Sequence, residues 1–483
     1  MIMLRQANNT YIQYAHLVIG TLAIVAVILS TNLSSLDYNQ KRLIEITLII
    51  ATLLSSTFLP HRIIENKIRL IQPYLVLLFL GITSSLIAIS PKHALIELIT
   101  FLGLSITIIQ LSPVWKIKPF YILIISALFI SIVITEVVFF TTYLAYSISG
   151  NNFSIHEFFP AFANVRFFNQ YQIWTMPYLT FILLHKHTFV KQHHGLLWSI
   201  GAAWWLIFFS TGSRGATVSE LSALIISWYF FRNHIKSFIL ITVKLGLVGF
   251  ITYYLLFNLL PYFLDHDPSA LFKSLELRNT TSDRIFLWTK ASQFIYQRPL
   301  LGIGPMHYAL STTPNMGTLN TITHPHNSLL QWGTEWGLPS LTAVLILMTN
   351  GFKKWFKKFN SLSLRNVDKN HSHLIMATTI SVISAMIYSL FSGVIVMPAS
   401  QLTALLPISL MFSLYQSGTT QPLIKPGYLY SAFIVLIAIL YFYLLIPDVI
   451  TILFNDNDIV EIYPHHPRFW LDGNIIIESP NNK

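Results

Sequence analysis

Apolar runs of about 17 to 25 residues recur along most of the chain, and each is long enough to cross the hydrocarbon core of a bilayer. The run at 14–30 lacks a small-residue cleavage site, so we expect a retained span and not a removed signal peptide. The pattern predicts an all-α, polytopic membrane protein of about 12–13 transmembrane helices. The predicted spans lie near 14–30, 43–59, 70–90, 94–112, 120–148, 168–184, 195–211, 216–231, 237–260, 326–350, 372–391, 397–416 and 428–447.

The composition supports this class of protein. Of the 483 residues, 54% are hydrophobic and 10% are charged, whereas soluble proteins carry about 25% charged residues. We attribute the net charge of +11 partly to basic loops that contact membrane lipids, and we expect no nucleic-acid partner. The absence of cysteine excludes disulfides, thiol catalysis and thiolate metal sites.

The positions of Lys and Arg predict the topology, because basic loops stay in the cytoplasm. Six basic residues lie between 353 and 369, and alternation places the basic loops near 62–69, 116–118, 186–191 and 232–236 on the same side. We therefore expect a cytoplasmic N-terminus. The predicted organisation is nine transmembrane helices in 1–260 with a turn at 211–215, a long periplasmic loop with a surface helix at 261–325, further transmembrane helices in 326–447, and a periplasmic tail at 448–483.

Polar residues form a stripe where the span at 326–350 begins. In a helix, Asn327, Gln331 and Glu335 would share one face because they recur every four residues. Polar groups inside a bilayer cost several kcal/mol each unless they find partners, so the stripe indicates a functional site.

The expected start of this helix brings His326 to an anion-binding position. Pro325 suits the first helical turn, with Thr323 or His324 as the cap. The helix dipole would then keep the His326 imidazole neutral and attract phosphate, as a general base acting on a phosphorylated substrate requires. The alternative is a structural histidine at a helix end.

Two arginines are candidate phosphate ligands on the outer face. Arg214 lies in a Gly-flanked turn, where its guanidinium and nearby N–H groups could reach one phosphate, although an interfacial anchor is an equal alternative. Arg284 lies in the first turn of a helix that we expect to be capped by Ser282 and ended by Pro299. An apolar stripe through Ile285 predicts that this helix lies along the membrane surface.

A third outer segment, Arg166-Phe167-Phe168-Asn169-Gln170, enters the span at 168–184. Amides beside aromatic rings suit contacts with sugar hydroxyls, and packing between helices is an equal alternative. The His-rich patches at 185–194 and 465–466 have no nearby carboxylates at ligand spacing, so we expect no metal site. Nucleotide-binding fingerprints are also missing from the sequence, and we expect no cofactor.

Three motifs in order along the chain resemble the O-antigen ligase superfamily, which includes O-antigen ligases, O-antigen polymerases and protein O-oligosaccharyltransferases. His326-Asn327 followed after nine residues by Gly337 resembles its signature, although Ser340 departs from the usual Gly, Thr or Tyr. Ser213-Arg214-Gly215 is similar to the family's periplasmic arginine turn. The run from Asp283 to Pro305 is similar to the segment that leads into the family's histidine, and the resemblance covers roughly 160–345.

This resemblance implies a GT-C-like, metal-independent, inverting glycosyltransferase of the bacterial inner (cytoplasmic) membrane. The implied donor is an oligosaccharide on undecaprenyl diphosphate, presented at the periplasmic face. Arg214 and Arg284 would hold the diphosphate, and His326 would activate the acceptor hydroxyl or orient the donor. The candidate substrate contacts are Arg166, Asn169, Gln170, Asn327, Gln331 and Glu335.

The acceptor is open at this point. The block from Arg166 to Gln170 and the form His324-Pro325-His326-Asn327 resemble the protein-modifying branch, which favours a protein (pilin-type) acceptor. Lipid A core or a growing O-antigen chain would also present a hydroxyl. Alternatives from other classes are a polysaccharide flippase or transporter, which would not need a histidine at an outer helix end, and a purely structural membrane subunit.

Overall fold

A computed structural model describes residues 2–33, 38–59, 61–62, 67–149, 155–162, 164–185, 188–263, 280–311, 324–416, 423–424, 426–454 and 469–470. Each predicted span overlaps at least one of its helices. The α-helices are α1 Ile2–Asn32, α2 Tyr38–Ser56, α3 Lys67–Leu86, α4 Pro91–Leu111, α5 Lys118–Ser149, α6 Val165–Leu184, α7 Thr188–Gln192, α8 His194–Ser210, α9 Arg214–Phe231, α10 Lys236–Tyr254, α11 Leu260–Phe263, α12 Thr280–Gln297, α13 His307–Ser311, α14 Ser328–Lys358, α15 Lys369–Tyr388, α16 Pro398–Tyr415 and α17 Tyr428–Phe454.

Short elements join these helices. The strands β1 His61–Arg62 and β2 Leu423–Ile424 pair antiparallel. The remaining short elements are the 3₁₀ turns Val114–Lys116, Ile155–Phe158, Arg232–Ile235 and Ser363–Asn366 and the π turn Leu255–Leu259.

Five stretches of the described chain are long and apolar enough to cross a membrane: Pro91–Lys116, Lys118–Ser149, Arg214–Leu259, Lys369–Tyr388 and Tyr428–Ile450. Other helices are more polar because neighbouring helices surround them. In α6, for example, Asn169, Gln170 and Gln172 are buried and bonded to adjacent segments, which satisfies groups that lipid could not. The structure confirms an all-α, polytopic membrane fold.

Contacts between loops join the helices at both of their ends. At one end, β1 pairs with β2, and Lys358 donates to the carbonyl of Tyr415. At the other end, Arg42 donates to the carbonyls of Val396 and Phe469, which join α2 to the α15–α16 connection and to the tail. Parts of the predicted periplasmic loop and tail, 264–279, 312–323, 455–468 and 471–483, lie outside the described residues.

Helix α12 packs on α14, and the prediction of its cap was wrong. It begins at Thr280, so Ser282 is not its cap, although it ends at Gln297 before Pro299 as expected. Its inner face is formed by Leu287 and Ala291, which are buried four residues apart, whereas Ile285 is 59% exposed. Contact with α14 therefore determines which side of α12 is buried, and the location of this helix along the membrane surface stays a prediction.

Helix α14 is kinked at Gly337, and the loop that follows α12 packs against the backbone at the kink. Gly337 has φ +82° and ψ 163°, and a Cβ there would lie 2.2 Å from the carbonyl oxygen of Leu300. The loop donates hydrogen bonds to helix carbonyls that the kink releases, from Ile303 N to Thr334 O and from Gly304 N to Glu335 O. This explains why the signature ends in glycine, since any side chain would displace the loop.

Candidate active site

Four helices begin around the connection between α15 and α16, which we call the 389–397 connection. Ser328, the first residue of α14, pairs with Ser389 through both its N–H and its hydroxyl, at 2.9 and 2.7 Å. Gln170 near the start of α6 and Arg284 near the start of α12 also bond this connection, and Gly215 at the start of α9 packs on Phe391. The positive ends of four helix dipoles therefore converge, which favours an anion there.

His326 lies before helix α14 and not in its first turn. The cap is Asn327, whose side-chain oxygen accepts from Leu329 N and Leu330 N at 3.0 and 3.1 Å. The prediction that Pro325 begins the helix with Thr323 or His324 as cap was therefore wrong, because Asn327 satisfies the free N–H groups. His326 instead adopts φ +53°, and its N–H donates to His324 Nδ1 at 3.1 Å.

The His326 imidazole is electrically neutral in this setting. Its pKa is lowered to about 3 by burial and, secondarily, by the charges of Arg166 and Arg284. Its Nδ1 atom is buried and has no hydrogen-bond partner among the described residues. A positive φ in a non-glycine residue and a buried nitrogen without a partner both cost free energy, so the surrounding structure must stabilise His326 in this conformation.

Arg284 and Arg166 form a half-buried pair of like charges. Arg284 donates to the carbonyl of Phe391 at 3.4 Å. Its pKa is lowered by burial first and by Arg166 second, while Tyr388 opposes the shift. The ion pairs in the described part of the chain are Arg42–Glu45 and Lys92–Asp448, so neither arginine of this pair has a carboxylate partner there.

Arg214 is exposed and is the first residue of α9. Its two neighbours fix its position. Ser213 caps the helix by accepting from Ala216 N at 3.4 Å, and its hydroxyl lies 3.2 Å from the hydroxyl of Tyr388. Gly215 approaches so closely that an added Cβ would lie 2.9 Å from the Cβ of Phe391. The turn thus docks on the same connection as Arg284, with the Arg214 side chain free to reach outward.

The two amides expected to contact sugars point into the protein. Asn169 donates to Thr211 Oγ1 at 3.0 Å, and Gln170 donates to Ser392 Oγ at 2.8 Å. Both side chains are buried. These bonds tie α6 to the Arg214 turn and to the 389–397 connection, so in this structure the amides hold the segments of the site together.

The polar stripe on α14 also has internal partners. With Asn327 acting as the cap, Gln331 and Glu335 remain on one face, and Gln331 donates to Glu335 at 3.3 Å. Glu335 is fully buried and accepts from the N–H of Tyr308 at 3.1 Å. The stripe therefore anchors the loop that enters the kink at Gly337.

Sequence reasoning missed the 389–397 connection, which every other part of the site contacts. Tyr388 touches the Arg214 turn, Phe391 accepts from Arg284, and the backbone of Gly393 lies against His324. The available signal was weak: a small polar break between two predicted spans, on the side already assigned to the outer face. His187, His465 and His466 lie outside the described residues, and within the described ranges no three metal-ligating side chains come together.

Comparison with known families gives one match: residues 199–345 match the family model described as O-antigen ligase. The matched segment contains the Arg214 turn, Arg284, His326 and Gly337. A comparison with curated proteins gives no match.

Proposed function

This chain belongs to the O-antigen ligase superfamily, and we propose that it transfers a glycan from undecaprenyl diphosphate to an acceptor hydroxyl at the periplasmic face of the bacterial inner membrane. The family supports glycan transfer of the ligase, polymerase or oligosaccharyltransferase type. The proposed reaction is an inverting displacement that uses no metal ion and no cofactor. A protein of the pilin type is the proposed acceptor.

The observation that carries this proposal is a pair of arginines that have no carboxylate partner among the described residues and lie beside a neutral histidine. Arg166 and Arg284 repel one another in a partly buried site where helix N-termini converge. An anion bound between them would replace this repulsion with charge-assisted hydrogen bonds, and a guanidinium binds phosphate oxygens through two such bonds. A diphosphate, with Arg214 closing over it from the rim, fits this arrangement.

His326 would act on the acceptor. The acceptor oxygen attacks the anomeric carbon of the first sugar, the bond from that carbon to the diphosphate breaks, and undecaprenyl diphosphate leaves with both electrons. The proton of the acceptor hydroxyl passes to the imidazole. Because the charges of the two arginines lower the basicity of His326, a bound diphosphate that offsets those charges would raise it.

The sequence blocks that resemble the protein-modifying branch support a protein acceptor, namely Arg166 to Gln170 and His324 to Asn327. The test supplies labelled glycan on undecaprenyl diphosphate to the purified chain with three acceptors: a pilin, lipid A core and a free glycan chain. Transfer to the pilin is the expected result. Transfer to lipid A core or to the free glycan, without transfer to the pilin, would support the proposed reaction and contradict the proposed acceptor.

The dependence of activity on pH follows from the neutral state of His326. Its pKa of about 3 in the folded protein lies below the ordinary value of 6.5, so kcat/KM should have no acidic limb due to this residue between about pH 5 and 8. Protonation of the unfolded chain below pH 6.5 should also lower the free energy of unfolding as pH falls towards 3. A limb near pH 6.5 that disappears in His326→Asn would contradict the burial of this ring.

The topology gives a separate test of the periplasmic location. A reporter fused at 360 should indicate the cytoplasm, because six basic residues lie between 353 and 369. Reporters fused at 275 and 465, two positions outside the described residues, should indicate the periplasm. A periplasmic signal at 360 would invert the assignment and place the candidate site on the cytoplasmic side.

A further inference from the structure

Tyr388, the last residue of α15, lies between the segments that carry the three arginines. Its side chain is 2% exposed. Its hydroxyl lies 3.2 Å from the hydroxyl of Ser213, and either oxygen can be the donor. The phenol also lies within range of the charges of Arg166 and Arg284. One buried hydroxyl thus bonds the Arg214 turn within range of the charges of the other two arginines.

The backbone of Tyr388 is part of the same arrangement. Its carbonyl accepts from Phe391 N at 2.9 Å, which closes the turn after α15. The carbonyl of Phe391 in turn accepts from Arg284, and the Phe391 side chain packs against Gly215. A shift of Tyr388 would therefore move the anchor of Arg284 and the packing surface of the Arg214 turn together.

We propose that Tyr388 is a positioning residue whose hydroxyl holds the Arg214 turn in register with Arg166 and Arg284, so that all three guanidinium groups meet one diphosphate. The proposal rests on the proposed function. Without this bond, Ser213 still caps α9 through Ala216, so the helix would form but its first residue would no longer be fixed relative to the other two arginines. Tyr388 does not contact the reacting atoms in this scheme.

The test uses Tyr388→Phe in the purified full-length chain, because phenylalanine keeps the buried ring and removes the hydroxyl. The matched control is Tyr178→Phe, at the same α6–α15 packing, where the hydroxyl lies 3.5 Å from Thr378. We expect the donor KM of Tyr388→Phe to rise roughly two- to tenfold, the effect of one hydrogen bond, with kcat changed less. Tyr178→Phe should match the wild type.

A binding measurement separates this proposal from the proposed function. The probe is farnesyl diphosphate, which carries a prenyl diphosphate without a sugar. Binding is measured as the rise in the unfolding temperature of the protein with increasing probe concentration. We expect the wild type and Tyr178→Phe to be protected at lower probe concentrations than Tyr388→Phe. Equal protection of all three overturns the role of Tyr388 alone. Failure of the wild type to bind the probe or to transfer glycan overturns the proposed function as well.

A double-mutant cycle with Ser213→Ala distinguishes positioning from a general loss of packing. Ser213→Ala also removes the cap of α9, so the comparison is the effect of Tyr388→Phe in each background. If the Tyr388–Ser213 bond carries the effect, Tyr388→Phe should lower donor affinity in the wild type and change it little in Ser213→Ala. Fully additive losses would show that the two residues act independently, and the proposal would fall.

Discussion

Replacing His326 with alanine is expected to lower glycan transfer by roughly 10²- to 10⁴-fold, the range for loss of general-base assistance, while expression and membrane insertion stay normal. In the structure, the buried Nδ1 atom of His326 has no hydrogen-bond partner among the described residues, and in the proposed mechanism the imidazole would receive the acceptor's proton. The measurement is transfer of labelled glycan from undecaprenyl diphosphate to the acceptor identified above.

The left-handed backbone at His326 calls for a second variant. At φ +53° an alanine is strained, whereas asparagine adopts this region more readily and cannot serve as the base. His326→Asn should therefore be as inactive as His326→Ala. His373→Ala, which removes a buried histidine near the other end of α15, should remain active. An active His326→Asn enzyme would rule out the histidine-base mechanism.

His324 provides an internal comparison, because its ring lies 4.2 Å from that of His326, centre to centre. Its Nδ1 accepts from the N–H of His326, and its ring lies against Gly393. His324→Ala should weaken the placement of His326 and keep a measurable fraction of transfer. Normal activity in His326→Ala with none in His324→Ala would shift the catalytic role by two residues.

Loss of either Arg214 or Arg284 is expected to lower transfer by roughly one to two decades. The basis is a charge-assisted contact of about 1.5–3 kcal/mol that forms with the diphosphate in the transition state. Lysine should be an incomplete substitute at both positions, because an ammonium acts as a point charge and cannot bind two phosphate oxygens as a guanidinium does. The measurement is kcat/KM for the lipid diphosphate donor.

The two arginine variants should differ in stability. Arg214 is exposed, so Arg214→Ala should unfold at the wild-type temperature. Arg284 donates to the carbonyl of Phe391 but is also repelled by the like charge of Arg166. Arg284→Ala loses the hydrogen bond and relieves the repulsion, so the two effects on the free energy of unfolding oppose one another. Arg365→Ala, an exposed arginine of the 351–371 loop, is the control for general charge loss. Full activity of Arg214→Ala would remove that residue from the site.

The apolar periodicity of the sequence predicted the helices well, because a membrane-spanning helix must satisfy its backbone within the segment itself. Local capping was predicted less well. The cap of α14 is Asn327, whereas Thr323 or His324 was expected as the cap and Pro325 in the first turn. Helix α12 begins before Ser282, the residue expected to cap it. Several residues near each boundary have side chains suited to a cap, and the contacts of the whole segment decide among them.

The sequence by itself determined the all-α membrane class, the order of the helices and the motifs around Arg214, Arg284 and His326, since these depend on composition and on neighbours along the chain. Only the tertiary structure decided which polar residues have internal partners. Asn169, Gln170 and Glu335 bond other segments, and Gln331 donates to Glu335 within α14. Arg166 and Arg284, by contrast, both act on His326 through their charges. The contacts of Tyr388 could not be predicted from the sequence either. Ser213, Arg166 and Arg284 lie far from it along the chain and come near it only where four helix N-termini converge.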